Sequence, residues 1–202
     1  MSNLILLSLE QIKPASQIVS KAFFDDPLML YLFPKPKERK EKLKLMIELL
    51  IRVGMKYGVV HATSLDLEGI AIWFPSNKAK ITPMMGLLNG GFSYFFKLGS
   101  KAIKKQNRIY NYIYSKHKKL LPSYHWYLSI IAINPVYQGM GFSRLLLNSM
   151  FSQIDKQNIS YFLNTNNKEN VPIYKRFGFR ILEEYQIPDT SIVNWAMIRD
   201  RY

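Results

Sequence analysis

The sequence predicts an α/β fold in which helices cover a single mixed sheet. Seven short apolar runs with strand character alternate with runs of helical periodicity. Hydrophobic residues make up 48% of the 202 residues, which is enough apolar surface for a packed core. The chain length favours a single domain over residues 1–202.

The predicted elements follow one another in a definite order along the chain. A strand over 4–9 precedes a helix that Asp25-Asp26-Pro27 ends, because a residue before proline avoids the helical region. A second helix over 38–57 stops at Gly58. The remaining predicted elements are strands over 59–62 and 68–74, an insertion of two helices over about 80–120, a central strand over 124–133, a helix over 141–156, a strand over 160–164, a helix over about 169–176, and strands over 179–186 and 192–199.

The chain is strongly basic, with a formal net charge of +14 and a pI of about 9.8. Nucleic acid, an anionic membrane surface and a phosphorylated cofactor all suit that sign, and so does a merely solvated lysine-rich surface. Aromatic and basic residues alternate within the insertion, which we expect to pack over the sheet. A basic nucleic-acid-binding or anionic-surface-binding module therefore stands as an alternative function, although specific nucleic-acid recognition is not expected.

Some chemistry is excluded by composition. The chain has no cysteine, so disulfides, thiolate catalysis and Cys-ligated metal sites are ruled out, and we expect no metal. The first residues lack the basic region of a signal peptide, and no apolar run reaches the roughly 18–20 residues that span a bilayer. These features predict a cytoplasmic protein without a membrane span.

A glycine-bearing turn joins the central strand to an amphipathic helix. The strand ends at Asn134-Pro135, and the turn reads Gln138-Gly139-Met140-Gly141-Phe142-Ser143. Glycines let the backbone approach a ligand closely, and free N–H groups at a helix start bind anions such as a pyrophosphate. The third glycine of the dinucleotide fingerprint would fall on Arg144, so that motif does not fit. The turn alone is a weak indication.

Two segments together resemble the GNAT acyltransferase superfamily. Its acyl-CoA motif is Val/Ile-x-Pro, then Gln/Arg-x-x-Gly-x-Gly/Ala and a leucine-rich helix. This chain has Ile133-Asn134-Pro135, the turn from Gln138 to Ser143, and Leu145-Leu146-Leu147, with Ser143 in place of the last Gly or Ala. Residues 167–179 resemble the family's Asn-…-Tyr-x-x-x-Gly-Phe segment.

The resemblance implies a GNAT fold, whose sheet is mixed but mostly antiparallel. It also implies direct attack of a small-molecule amine on acetyl-CoA, without a covalent enzyme intermediate. Tyr174 matches the general acid of the family and His125 is a candidate base, while Asn167 and Asn170 either touch the cofactor or cap a helix. The full set expected to bind the cofactor is Ile131, Ala132, Ile133, Gln138, Gly139, Met140, Gly141, Phe142, Ser143, Asn167, Asn170 and Tyr174.

A narrower resemblance links the chain to a branch that includes puromycin acetyltransferase-like proteins. It rests on Asp26-Pro27, Trp73-Phe74-Pro75, His125-Trp126-Tyr127-Leu128 and the ending Trp195-Ala196-Met197-Ile198-Arg199. That branch often carries Leu-Glu-Thr where this chain has Leu163-Asn164-Thr165, so a carboxylate is missing.

The identity of the base is open at this stage. His125 has a pKa in the useful range, but a lone histidine is more often structural. Asp25, Asp26 and Glu68 are further candidates, and a water chain could replace a dedicated base. Weak support for a base also leaves room for a non-catalytic acyl-CoA-binding regulator, and the sequence leaves a homodimer open.

Overall fold

A seven-stranded sheet forms the centre of the computed structural model, which describes residues 4–154 and 157–200. The strand order is β1-β2-β3-β4-β5-β7-β6, and every neighbouring pair is antiparallel except β4 with β5. This confirms the predicted α/β class with a mixed, mostly antiparallel sheet. The strands are β1 (Ile5–Leu6), β2 (Val59–Ala62), β3 (Gly69–Pro75), β4 (His125–Ile133), β5 (Ser160–Thr165), β6 (Arg180–Gln186) and β7 (Val193–Arg199).

The helices differ from the prediction at two places. A short helix follows Asp26, whose Oδ1 accepts hydrogen bonds from the N–H groups of Leu28 and Met29 while Pro27 occupies the first turn. The insertion contains three helices instead of two, because the chain turns near Gly90 and again at Gly99, both at positive φ. The helices are α1 (Ile12–Ala22), α2 (Pro27–Leu32), α3 (Pro36–Tyr57), α4 (Pro83–Leu88), α5 (Phe92–Leu98), α6 (Ser100–Leu120), α7 (Phe142–Ile154) and α8 (Asn170–Arg176). The predicted end of the 141–156 helix lies outside the described residues.

The core has one layer on each face of the sheet. Side chains alternate along a strand, so Ile70, Ile72 and Phe74 of β3 join one cluster while Ala71 and Trp73 join the other. All five side chains are fully buried. The first cluster includes residues of α1 and α3, and the second includes residues of α7, so both faces of β3 are covered by helices.

The sheet opens on one side of β4, and this opening positions the site. β5 pairs with β4 only as far as Leu128, which lies opposite Leu163. Beyond that point β5 continues beside β7, and among the described residues no strand pairs with the β5 side of β4. On the β3 side, Trp73 pairs with Leu128 and Ile72 with Ile130, which leaves Ser129 as a bulge. The edge of β4 from Ser129 to Ile133 is therefore free to bind a ligand.

Candidate active site

A cavity of about 510 Å³ lies beside the open edge of β4. Ser129 and Ile131 of β4 and Asn164 of β5 form part of its wall. Helix α3 and the insertion close it from the other side, with apolar and aromatic side chains that include Leu43, Ile47, Tyr94 and Phe95. The insertion thus supplies one wall of this cavity.

Asp26 brings the one carboxyl group found among the described residues that line this cavity. Its Oδ1 lies 2.9 Å from the backbone nitrogen of Leu28 and 3.4 Å from that of Met29, so capping of α2 fixes its orientation. Burial raises the pKa of Asp26 above its usual range, and the two backbone hydrogen bonds only partly oppose that rise. A carboxylate with a raised pKa is a stronger base than an exposed aspartate.

Tyr174 lies on α8 and lines the same cavity. Its ring packs edge-on against Phe179, with 5.9 Å between the centroids. Burial raises the pKa of Tyr174, and the neighbouring Tyr127 and Asp26 raise it further. The phenol therefore keeps its proton at neutral pH and can donate a hydrogen bond.

Asn164 occupies the position where the resembling branch carries a glutamate. Both of its amide atoms are buried, and neither forms a hydrogen bond of ordinary geometry among the described residues. Burial raises the pKa of Tyr127, and the Asn164 amide beside its hydroxyl opposes part of that rise. The Asn164 side-chain oxygen therefore leaves acceptor capacity in the cavity wall, which a bound polar group can use.

The glycine turn has the backbone of an anion cradle. Gly139 and Gly141 have φ of +82° and +87°, where an L side chain is strained. The first helical-pattern hydrogen bond runs from the Leu145 N–H to the Gly141 carbonyl, at 3.2 Å. Among the described residues, the N–H groups of Gly141, Phe142 and Ser143 have no acceptor. These free donors at the start of α7 suit a pyrophosphate.

The open edge of β4 connects the turn with the cavity. Ile131 lines the cavity, and two residues later the strand ends at Ile133 and leads into the turn. Asn134 anchors this end, since its N–H donates to the Glu68 carbonyl at 2.8 Å. A long ligand can therefore reach from the cradle at the start of α7 along the strand edge to Asp26 and Tyr174.

The structure does not bring His125 to this cavity. Its Nε2 lies 2.6 Å from Nε2 of His117, and its Nδ1 lies 2.7 Å from the Ser123 carbonyl oxygen, so both ring nitrogens are engaged. Burial lowers the pKa of His125, and burial together with the nearby His125 lowers that of His117 to about 3. His125 lines a separate cavity of about 290 Å³, and it lies six strand positions, roughly 20 Å, before Ile131.

The other candidate bases also lie away from the cavity. Glu68 accepts hydrogen bonds from the hydroxyls of Thr63 and Ser64, at 2.7 and 2.8 Å. Asp25 is exposed and lies 4.0 Å from Arg39. Of the carboxylates considered from the sequence, only Asp26 faces the cavity.

The two asparagines of the second motif have different positions. The side-chain oxygen of Asn167 accepts the Glu169 N–H at 3.0 Å, which is a local turn-forming bond. Asn170 lines the cavity, and its amide nitrogen lies 3.4 Å from Oγ1 of Thr165.

Comparison with known proteins indicates the class of enzyme to which the chain is similar. A family model described as an acetyltransferase (GNAT) domain matches residues 101–193. An uncharacterized N-acetyltransferase of Schizosaccharomyces pombe is 27% identical over 175 residues, which cover 83% of this chain and 70% of that protein.

Solved structures agree in fold. A histone acetyltransferase HPA2-related acetyltransferase from Corynebacterium glutamicum superposes with a TM-score of 0.66 at 21% identity, over 100% of this chain and 98% of that one. Arylalkylamine N-acetyltransferase 2 from Aedes aegypti superposes with a TM-score of 0.63 at 12% identity, over 99% of both chains. The C-terminal condensation domain of Ebony, in complex with beta-alanyl-dopamine, gives 0.67 at 10% identity, over 98% of both chains.

The fold and these matches define an acetyltransferase. Residues 101–193 match the GNAT acetyltransferase domain, and the fold and the relatives support an N-acetyltransferase of the GNAT superfamily, a family that uses acetyl-CoA as donor together with an acceptor substrate. The narrower likeness to puromycin acetyltransferase-like proteins stays a prediction. Over residues 4–154 and 157–200, none of the helices combines the length and the apolar composition that a bilayer span requires. In the same ranges, no group of three or more His, Asp or Glu side chains is placed to hold a metal ion.

Proposed function

We propose that the protein transfers the acetyl group of acetyl-CoA to the primary amine of a small molecule with an apolar body. The observation that carries this proposal is the cavity at the open edge of β4, because Asp26 and Tyr174 both line it. A carboxylate that can take a proton and a phenol that can donate a hydrogen bond then lie beside the strand edge along which the donor would bind.

The donor is assigned to the strand edge and the cradle. When bound, acetyl-CoA supplies the thioester that the amine attacks. Backbone groups of Ile131, Ala132 and Ile133 hold its pantetheine arm, since this stretch of β4 lacks a strand partner on the β5 side among the described residues. The residues Gln138, Gly139, Met140, Gly141, Phe142 and Ser143 hold its pyrophosphate.

The acceptor is assigned to the cavity between α3 and the insertion. Its apolar and aromatic wall suits a hydrophobic or aromatic body, and Asp26 attracts the ammonium group and receives its proton. Among the described residues that line the cavity, Lys80 is the one with a cationic side chain. The name of the Aedes aegypti neighbour points to arylalkylamines for that enzyme, and the cavity here favours the same chemical class.

A screen of primary amines with acetyl-CoA, read as release of free thiol, tests this function. We expect arylalkylamines and other amines with apolar bodies to be turned over faster than polyamines or aminoglycosides. Polycations should be poor acceptors, because one carboxylate cannot neutralise several buried charges. Saturable acetyl-CoA binding without turnover of any amine would instead indicate a regulator.

Gly141→Asp should abolish acetyl-CoA binding, measured by calorimetry. Gly141 has φ of +87°, and an added carboxylate would stand at the phosphate cradle and repel the pyrophosphate. Gly141→Ala is the matched control, since it introduces at least as much backbone strain without charge and should retain most of the affinity. Equal affinity of Gly141→Asp and wild type would exclude the turn as the pyrophosphate site.

We also infer that the insertion belongs to the same domain as the sheet. Tyr94 of α5 and Ile113 of α6 both line the cavity and both belong to the sheet's main hydrophobic cluster. The cytoplasmic location and the homodimer stay predictions.

A further inference from the structure

Helices α4 and α5 present an apolar face that nothing in the described structure covers. Met84, Leu87 and Leu88 are spaced three and four residues apart on α4, and their exposed fractions are 63%, 48% and 66%. Phe92 and Phe96 are four residues apart on α5, with exposed fractions of 75% and 81%. Residues at these spacings share one side of a helix, so each helix carries a stripe of large apolar side chains in water.

The opposite sides of the same helices are fixed to the protein. Tyr94 and Leu98 of α5 are buried in the main cluster. The backbones of α4 and α5 approach closely, because a Cβ added to Gly91 would lie 2.6 Å from the Gly86 carbonyl oxygen. The two stripes therefore belong to one packed helical unit, and we call these five exposed side chains the α4–α5 apolar face.

The segment that carries this face contains basic residues and no acidic ones. Residues 76–120 contain ten of the chain's 28 Lys and Arg residues and none of its 14 Asp and Glu residues. Lys97, Lys101 and Lys104 follow Phe96 directly along α5 and α6, and all three are exposed. Within the described part of the chain, none of these three lysines has an ion-pair partner.

A further cation reaches the face from α3. Arg52 is exposed, and its Cδ would lie 4.0 Å from a Cβ at Gly90, in the turn between α4 and α5. The apolar face is thus flanked by positive charge from a second element that is distant in sequence.

We propose that the α4–α5 apolar face docks on an anionic membrane surface. Apolar side chains flanked by lysines bind such surfaces by burying the former at the acyl boundary and holding the latter near the lipid phosphates. A second copy of the chain is a poorer occupant, because a symmetric contact would oppose two basic surfaces. Nucleic acid is also a poorer occupant, because three of the five side chains, Met84, Leu87 and Leu88, offer no ring on which a base can stack.

Docking has a consequence for substrate access, which rests on the function proposed above. Gly86, Tyr94 and Phe95 line the acceptor cavity from α4 and α5. The docked face would bring this cavity wall close to the lipid, where amines with apolar bodies concentrate.

Co-sedimentation with lipid vesicles tests the docking without any reference to turnover. We expect binding to vesicles of phosphatidylcholine mixed with phosphatidylglycerol, weak binding to phosphatidylcholine alone, and loss of affinity as salt rises. The double variant Phe92→Ser/Phe96→Ser should bind at least about tenfold more weakly, since each phenylalanine buries its ring on docking. Leu65→Ser is the matched control, because Leu65 is 78% exposed on a loop outside the face.

The lysines are tested in the same assay. The triple variant Lys97→Gln/Lys101→Gln/Lys104→Gln should bind the mixed vesicles more weakly than a triple variant that loses the same charge elsewhere on the protein. Lys13, Lys37 and Lys40, exposed on α1 and the start of α3, provide that control. Lys37 and Lys40 lie 12 or more residues before Arg52 on α3, about 18 Å or more along the helix.

Several results would overturn the proposal. The protein would bind mixed vesicles no more strongly than phosphatidylcholine alone, or the double phenylalanine variant would bind as well as wild type. Equal losses of vesicle affinity in the two lysine triple variants would also overturn it. Duplex DNA binding that outcompetes the vesicles would assign the basic surface to nucleic acid instead. Self-association that the phenylalanine variant abolishes would assign the face to a second copy. Unchanged thermal melting of each variant shows that the fold is intact.

Discussion

Asp26→Asn should lower kcat by about 10²–10⁴-fold, which is the usual contribution of a positioned general base. The substitution removes the proton acceptor but keeps a side-chain oxygen to receive the N–H groups of Leu28 and Met29, so α2 stays capped. A residue that only attracts the ammonium group would instead raise KM and leave kcat near wild type. Steady-state kinetics with an acceptor from the amine screen separates the two roles.

The pH dependence gives Asp26 a second signature. Its pKa is raised by burial, and a base works only when ionised, so kcat should rise with pH through a value above the ordinary aspartate range of about 3.9. This rise of kcat on the acidic side of the pH profile should be absent in Asp26→Asn.

Stability should move in the opposite direction to activity. A carboxyl group whose pKa is raised by folding costs stability progressively as pH rises from its unfolded pKa to its folded pKa. At neutral pH the asparagine variant should therefore melt no lower than wild type. Asp25→Asn is the matched control, because Asp25 is the sequence neighbour of Asp26. The Asp25 carboxylate is exposed and faces Arg39 outside the cavity. Equal losses of kcat in both variants would remove Asp26 from the mechanism.

The sheet could be predicted from the sequence because each strand carries a local apolar signal. The strand predicted over 124–133 is observed as His125–Ile133, and the one over 59–62 has the predicted bounds. Helix α2 was missed because its six residues are uniformly apolar apart from one tyrosine, so that no helical period is visible. The insertion was assigned one helix too few, because short helices joined at Gly90 resemble one interrupted helix.

The candidate site was only partly accessible to sequence reasoning. The turn around Gly139 and Gly141 is local, so its positive φ angles follow from a short motif. The cavity is not local, because it needs β4 and β5 to separate and α2 to bring Asp26 against the gap. From the sequence, His125 was a candidate base because nothing local shows that its ring is engaged. Its pairing with His117 of the insertion is a long-range contact that no sequence period indicates.

Tyr174→Phe should lower kcat by about 10²–10³-fold, the loss typical for one hydrogen-bond donor aimed at developing charge. Burial raises the pKa of Tyr174, so the phenol is a weaker acid than a thiol, whose pKa is about 8.5. Its hydroxyl therefore acts chiefly by donating a hydrogen bond to the departing sulfur. Phenylalanine keeps the ring and its edge-on contact with Phe179 but removes that donor.

The same variant should leave acetyl-CoA affinity and thermal stability almost unchanged, because the Tyr174 hydroxyl has no hydrogen-bond partner among the described residues. A structural tyrosine would show the reverse, with lost stability and retained turnover. Tyr110→Phe is the matched control, since Tyr110 also lines the cavity and desolvation also raises the pKa of its phenol, but it lies on α6, away from the family motif. A kcat of Tyr174→Phe within about threefold of wild type, or a loss no larger than that of Tyr110→Phe, would exclude a specific role for its hydroxyl, because one well-placed donor contributes more than this.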